Sequence, residues 1–189
     1  AIIVSKVTLG KDIRNYGSGN AGLTNFYRTF GAPGLAIVIG TDMLKTVIAV
    51  VAGGLIMGTQ GAAATGQVFA GFCVMLGHIY PVFYGFRGGK GVATLAGAVL
   101  AVYPSAVLLC LLIFGIVFVT THYVSLGSIS AGIAFPIFVI GVFGERSVSL
   151  IVFSCVIAVL LLYTHRRNIQ RLLDHSESKT YLFKKKDKK

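Results

Sequence analysis

The chain has 189 residues, of which 55% are hydrophobic and only 12% charged. About a quarter of a soluble domain's residues are charged, so this composition, with a mean hydropathy of +0.82, excludes an ordinary water-soluble globule and places its long apolar runs in a bilayer. The net charge of +11 does not point to nucleic acid: nine of the 17 Lys and Arg lie between Arg166 and Lys189, beside apolar segments, where anionic lipid headgroups are the expected partner.

Ala1 to Leu9, interrupted by Lys6, reads as the end of a first membrane helix cut short upstream. A polar stretch follows, Gly10 to Pro33. At its centre lies Gly17-Ser18-Gly19-Asn20-Ala21-Gly22-Leu23-Thr24-Asn25, with three glycines and four small hydrogen-bonding side chains. Such a run can turn successive backbone N–H groups into one concavity that holds an anion. A helix opening after it adds free N–H groups and a positive dipole end. Read alone, the same residues also suit a plain glycine-rich turn.

Pro33 and Gly34 open a second span that runs to about Gly58, long enough to cross a membrane. Thr59 to Gly66 is a neutral link, and the third span covers about Gln67 to Phe83. A second glycine-rich loop comes next, Tyr84-Gly85-Phe86-Arg87-Gly88-Gly89-Lys90-Gly91. Val92 to Thr121 is either one helix of 30 residues or two helices broken at Pro104. Two more spans follow, about Leu126 to Phe143 and Ser147 to Tyr163, with Glu145 and Arg146 between them.

Charge decides between the two readings of Val92–Thr121. Basic residues concentrate in cytoplasmic loops. With the opening loop in the cytoplasm, a break at Pro104 puts 15 of the 17 basic residues on that side, leaving Arg146 outside and Lys45 within a span. The expectation is a single all-α integral membrane domain over residues 1–189. It has seven transmembrane helices, the first truncated, and a basic cytoplasmic tail over 178–189.

This topology brings Asp12–Arg28, His78–Thr94 and His165–Glu177 to one membrane face. Glycine turns, cations and a histidine with few acids suit a phosphate-bearing substrate. The second loop is not a Walker A site, because Tyr84 and Gly91 stand where that pattern needs Gly and Ser or Thr. Lys90, beside Gly88 and Gly89, can still act as a point charge on phosphate; the alternative is a lysine snorkelling to headgroups. His165 has Asn168 three residues on, on the same helix face, where an amide can fix the imidazole tautomer or contact substrate; the alternative is an interfacial histidine in a basic tail. His78 reads as structural, fixing its loop through a hydrogen bond. Asp42 and Lys45, at i,i+3 spacing inside a span, read as an intrahelical pair. His122 and His175 have no recognisable partner. Cys73, Cys110 and Cys155 show neither metal spacing nor a disulfide framework.

With these stretches in place, the chain resembles the bacterial acyl-phosphate:glycerol-3-phosphate acyltransferases of the PlsY type. The first match is Asp12-Ile13-Arg14, Gly17-Ser18-Gly19-Asn20, Gly22, Thr24-Asn25 and Arg28. The second is Gly77-His78, Pro81, Phe83, Phe86 and Gly88-Gly89-Lys90-Gly91-Val92-Ala93-Thr94. The third is His165, Asn168-Ile169, Arg171-Leu172 and Glu177. The family usually has Ala at the position of Leu23 and Gly at the position of His175.

The resemblance implies transfer of the acyl group of a long-chain acyl phosphate to the 1-hydroxyl of sn-glycerol 3-phosphate. The products are 1-acylglycerol 3-phosphate and phosphate, in the first acylation of phospholipid synthesis. It implies that Ser18, Gly19, Asn20, Gly22, Thr24 and Asn25 cradle the acyl-phosphate head. Arg28 and Lys90, with Gly88 and Gly89, would hold phosphate. Ser18, His165 and Asn168 are the catalytic candidates, His165 and Asn168 positioning the acceptor, with either His165 or the donor's own phosphate as base and Ser18 as the alternative, nucleophilic, route. No metal or organic cofactor is implied. The expected setting is a monomer in the bacterial inner membrane, with active site and C-terminus cytoplasmic. The competing readings are a transporter for a small phosphorylated anion, prompted by Asp42–Lys45 and the break at Pro104, and a scaffold binding anionic lipid through its tail.

Overall fold

The long apolar runs fold as helices that satisfy their own backbone groups, the requirement for any segment exposed to lipid. The structure, a computed structural model, describes residues 1–181. Lys184 to Lys189, the core of the expected basic tail, lie outside the described residues. The helices are α1 (Ile2–Leu9), α2 (Leu23–Phe30), α3 (Leu35–Gly58), α4 (Ala63–Ile79), α5 (Val92–Val102), α6 (Pro104–Thr121), α7 (Val124–Ile137), α8 (Val148–Thr164) and α9 (Arg166–Leu173). One-turn 3-10 helices occupy Ile13–Asn15 and Val82–Tyr84, and a π-helical segment, Phe138–Val142, extends α7.

Helix α3 packs against α4 and α5; α6 pairs with α7, α7 with α8, and α8 returns to α4. Where α3 and α4 cross, Gly53 faces Gly66. A Cβ on Gly53 would lie 2.6 Å from the Gly66 carbonyl oxygen, so only glycine lets the two backbones approach this closely. The main core joins α3, α4, α5, α7 and α8 through Val50, Met75, Val99, Phe135, Ile157 and Leu161. Large apolar side chains such as Leu55, Ile56, Phe69, Leu108 and Val159 point outward, as surfaces that meet lipid do.

A second, smaller core explains α2. Within the stretch expected to be a polar loop, Leu23–Phe30 forms a strongly amphipathic helix. Its Phe26 is fully buried beside Ile2, Val4, Ile13 and Val38. The apolar stripe is only three side chains, Leu23, Phe26 and Phe30, so it is easily missed among the glycines around it.

The break at Pro104 is present. Tyr103 leaves helical geometry (φ −146°, ψ 71°) and Pro104 starts α6 at the position where a missing N–H does least harm. Helix α4 begins earlier than expected, at Ala63, and ends earlier, at Ile79, where Pro81 fixes an extended backbone immediately beyond.

Among the described residues, four helical segments are long and apolar enough to cross a membrane: Leu35–Gly58, Ala63–Tyr84, Pro104–Thr121 and Val124–Val142. Val148–Thr164 with Arg166–Leu173, bent by 58°, makes a fifth. Helix α5 is about 16 Å long at 1.5 Å per residue, about half the thickness of a hydrocarbon core. Helix length by itself therefore gives four or five crossings, not seven.

Candidate active site

The opening loop is built on one side chain. Asn25, buried in the first turn of α2, accepts from the Ser18 N–H at 2.9 Å. Its Nδ2 faces the carbonyls of Asn20 at 2.9 Å, Tyr16 at 3.0 Å and Ile13 at 3.4 Å. Gly17 (φ +57°) and Gly19 (φ +70°) take the left-handed turns this wrap needs. A Cβ on Gly17 would collide with the Asn25 amide. Asn25 was expected to touch the ligand; its hydrogen-bonding groups instead close the loop.

The backbone donors divide unequally. The Ser18 and Gly19 amides are used inside the loop, by Asn25 and by the Tyr16 carbonyl at 3.0 Å. The amides of Leu23, Thr24 and Asn25, at the start of α2, have no acceptor among the described residues. The free backbone donors thus lie at the α2 N-terminus, beside Asn20 and Gly22, rather than at Ser18 and Gly19. The Ser18 hydroxyl and the side chains of Asn20 and Thr24 also make no hydrogen bond among the described residues.

Two struts bring the second loop alongside. Asp12 holds Arg14 through Nε at 2.9 Å and Nη2 at 2.7 Å, and Arg14 Nη1 donates to the Tyr84 carbonyl at 2.5 Å. The arginine holds the Asp12 carboxyl well below the usual carboxylate range. At the loop's far end the Thr164 hydroxyl, on α8, approaches the Lys90 carbonyl at 3.2 Å. Between the struts the Gly88 and Gly89 amides donate to the carbonyls of Ile79 and His78, at 3.1 and 3.2 Å. A cavity of about 230 Å³ lies between α1, α3, the end of α4 and the second loop; Ile2, Ala21, Lys45, His78, Gly88 and Gly89 are among its lining residues.

The third stretch is not one continuous helix. The chain bends at His165, between α8 and α9. His165 is 2% exposed, and its Nδ1 lies 2.9 Å from the Leu161 carbonyl. A carbonyl only accepts, so Nδ1 carries the proton and Nε2 presents its lone pair. Burial, with Lys90 acting in the same sense, lowers the His165 pKa to about 4.

Asn168 is equally buried. Its Nδ2 donates to Glu177 Oε1 at 2.8 Å, while its Oδ1 has no partner. Glu177 also accepts from the Ser125 hydroxyl at 2.7 Å and Arg171 Nε at 2.6 Å. Burial opposes its ionisation, but the bonds from Ser125, Arg171 and Asn168 hold its pKa below the usual value. The segment after α9 then crosses to α2, where Arg28 donates to the Ser178 carbonyl at 2.6 Å and the Thr180 hydroxyl at 2.8 Å.

One carboxylate therefore sits among three cations, Arg28, Lys90 and Arg171. Burial lowers the Lys90 pKa to about 8; Glu177 opposes the shift, and Arg171 and Arg28 add to it. This surplus of positive charge, with unused helix N–H groups and a neutral imidazole, suits a phosphate-bearing ligand and an adjacent hydroxyl. Glu177 and Arg171 stood only as members of a matched motif, and Ser125 was not singled out. Their function depends on α7, α9 and the C-terminal segment meeting, which no local pattern displays.

Comparison with known proteins points the same way. A family model described as glycerol-3-phosphate acyltransferase matches residues 1–175. The chain is 46% identical to the glycerol-3-phosphate acyltransferase of Thermoanaerobacter sp. strain X514 over 179 residues, covering 95% of this chain and 87% of that protein. It is 44% identical to the Geobacter sulfurreducens protein of the same name over 171 residues, covering 90% and 84%. Among solved structures it is similar to PlsY, an integral membrane glycerol 3-phosphate acyltransferase, in its glycerol 3-phosphate form. There the TM-score is 0.85 at 39% identity, covering 95% of this chain and 86% of that one. The lysophosphatidic acid form gives 0.81 at 36% identity, covering 95% and 88%.

Proposed function

Because the chain belongs to the glycerol-3-phosphate acyltransferase family, we propose that it takes the acyl group from a long-chain acyl phosphate and makes the first acylated intermediate of phospholipid synthesis. The acceptor O1 attacks the acyl carbonyl carbon, the bond from that carbon to the phosphate oxygen breaks, and 1-acylglycerol 3-phosphate and phosphate leave. The observation that carries this reading is the cluster of Arg28, Lys90 and Arg171 around the single carboxylate Glu177, beside the unused amides of α2.

Two phosphate groups must approach each other for this reaction, and the cations offset their repulsion. The α2 amides with Ser18, Asn20, Gly22 and Thr24 receive the donor phosphate. Lys90 and Arg28, framed by Gly88 and Gly89, hold that of glycerol 3-phosphate. Holding both reactants in line contributes about 7–11 kcal/mol in well-oriented systems. An acyl phosphate is already activated, so no covalent enzyme intermediate is needed.

The proton of the acceptor hydroxyl has two possible destinations. Burial and the neighbouring Lys90 disfavour the charged His165 imidazole, which makes the departing donor phosphate the better base. The departing phosphate takes the proton. Neutral His165 orients the hydroxyl through Nε2, and the unpartnered Asn168 Oδ1 accepts from a second hydroxyl of the acceptor. The acyl chain extends into the apolar groove of Val92, Leu95, Val99, Leu111 and Phe114, which opens two residues beyond Lys90.

The chain is a multi-pass membrane protein. Seven crossings, with α1 and the short α5 among them, put 15 of 17 basic residues and the whole site on the cytoplasmic side of the bacterial inner membrane.

The test is an assay on purified protein in micelles. With acyl phosphate as donor, phosphate release should depend on glycerol 3-phosphate and yield 1-acylglycerol 3-phosphate; acyl-CoA should not replace the donor. Turnover with acyl-CoA, or none with acyl phosphate, contradicts the donor assignment.

A further inference from the structure

Three ionisable side chains that the proposed reaction does not use meet where α3 packs against α4. Lys45 Nζ, on α3, donates to Asp42 Oδ1 at 2.6 Å and lies 2.8 Å from His78 Nδ1, on α4. The Asp42 and His78 side chains are 8% and 10% exposed. The Asp42 carboxylate is 3.5 Å from the same ring nitrogen, so the ammonium is the nearer partner. An ammonium only donates, hence Nδ1 accepts and Nε2 carries the ring proton. An intrahelical Asp–Lys pair already neutralises both charges. What the pair gains by reaching α4 is a fixed imidazole.

That imidazole lies directly beneath the second loop. A Cβ on Gly89 would overlap His78 Nε2, and one on Gly88 would overlap the His78 carbonyl. The same carbonyl accepts from the Gly89 amide at 3.2 Å. Gly89 is buried and immediately precedes Lys90. The Nε2 edge of the ring thus abuts Gly89, and the ring is held from behind by an ion pair whose carboxylate is buried and whose ammonium is half-exposed.

We infer that Asp42, Lys45 and His78 form a positioning cluster that sets the Gly88-Gly89-Lys90 loop, and through it the Lys90 ammonium, at the height needed for the phosphate of glycerol 3-phosphate. The inference rests on the proposed role of Lys90. His78 touches the loop, not the reacting atoms, so its loss weakens acceptor binding more than chemistry. Lys45 acts one step further back, by fixing the ring.

The test has two readouts on the full chain in micelles, amide hydrogen exchange and steady-state kinetics. In His78→Ala and in Lys45→Met, exchange over residues 85–91 should rise while exchange over 92–102 stays unchanged. KM for glycerol 3-phosphate should rise about tenfold with kcat little altered. The double variant should be no worse than the more affected single, because both act through one ring. Lys45 is half-exposed, so Lys45→Met keeps the test open if His78→Ala does not fold. Unchanged loop exchange in Lys45→Met, or single-variant losses that multiply in the double, overturns the cluster. Loosened exchange with an unchanged KM retains the mechanical support but removes Lys90 from acceptor binding, which separates failure of the two readings.

Discussion

Asn168 Nδ2 donates to Glu177 Oε1 at 2.8 Å, and this one bond decides which end of the amide is left free. The carboxylate only accepts, so Asn168 Oδ1 is turned away from it and remains a buried acceptor without a partner. Glu177 thereby orients Asn168, pairs with Arg171 and offsets the field at Lys90. Glu177→Gln should lower kcat/KM for glycerol 3-phosphate about 10- to 100-fold. Adding Asn168→Ala should lower it little further, since the two act as a unit. Steady-state kinetics of the single and double variants check this, and multiplicative losses would separate the residues.

Lys90 must be protonated to attract phosphate. Its pKa lies near 8, below the ordinary lysine value, so the cationic form is complete well below that pH and is lost as pH rises through it. For the wild type, kcat/KM should therefore fall above about pH 8. Bound phosphate raises the pKa, so kcat should hold to higher pH. In Lys90→Arg the alkaline fall should disappear, even if the overall rate drops. A profile unchanged in Lys90→Arg would assign the titration elsewhere.

Asn25 supports the opening loop with both ends of its amide. Removing it leaves one amide and three carbonyls to find new partners. Asn25→Ala should destabilise the protein by about 2 kcal/mol and reduce turnover more than Ser18→Ala does. Gly19→Ala, at φ +70°, should cost about 1–2 kcal/mol. Thermal unfolding in micelles and kinetics on the same samples test both effects. A fully stable Asn25→Ala that has lost only donor binding would make Asn25 a ligand contact.

His175 occupies a left-handed turn (φ +54°) that closes α9 and delivers Glu177 to its partners. The Ser176 and Glu177 amides both donate to the Arg171 carbonyl, at 2.8 and 3.0 Å. Glycine meets this backbone without the Cβ penalty, so His175→Gly should stabilise the chain by about 1 kcal/mol and leave kcat unchanged. A lower unfolding temperature would mean that the histidine side chain contributes more than the strain removes.

Much of this arrangement is legible in the chain because its signals are local. The apolar runs announce the long helices, and Pro104 marks a break. Glycines and cations single out the two loops. What is not legible depends on contacts distant in sequence. Asn25 looks like a loop ligand until α2 turns it inward. Lys45 and His78 are 33 residues apart and read as separate features. Ser125 and Glu177, 52 apart, meet only once the segment after α9 has folded back. The bend at His165 is hidden because Arg166–Leu173 continues the helical pattern with no proline or glycine to mark a change.

The central claim is direct transfer between two phosphate-held substrates, with no acyl-enzyme. Rapid-quench measurement of phosphate release from acyl phosphate, with glycerol 3-phosphate omitted, tests it most directly. The account predicts no burst, and release at turnover rate as soon as acceptor is added. A burst approaching one phosphate per protein molecule, with the acyl group left on Ser18, would contradict it.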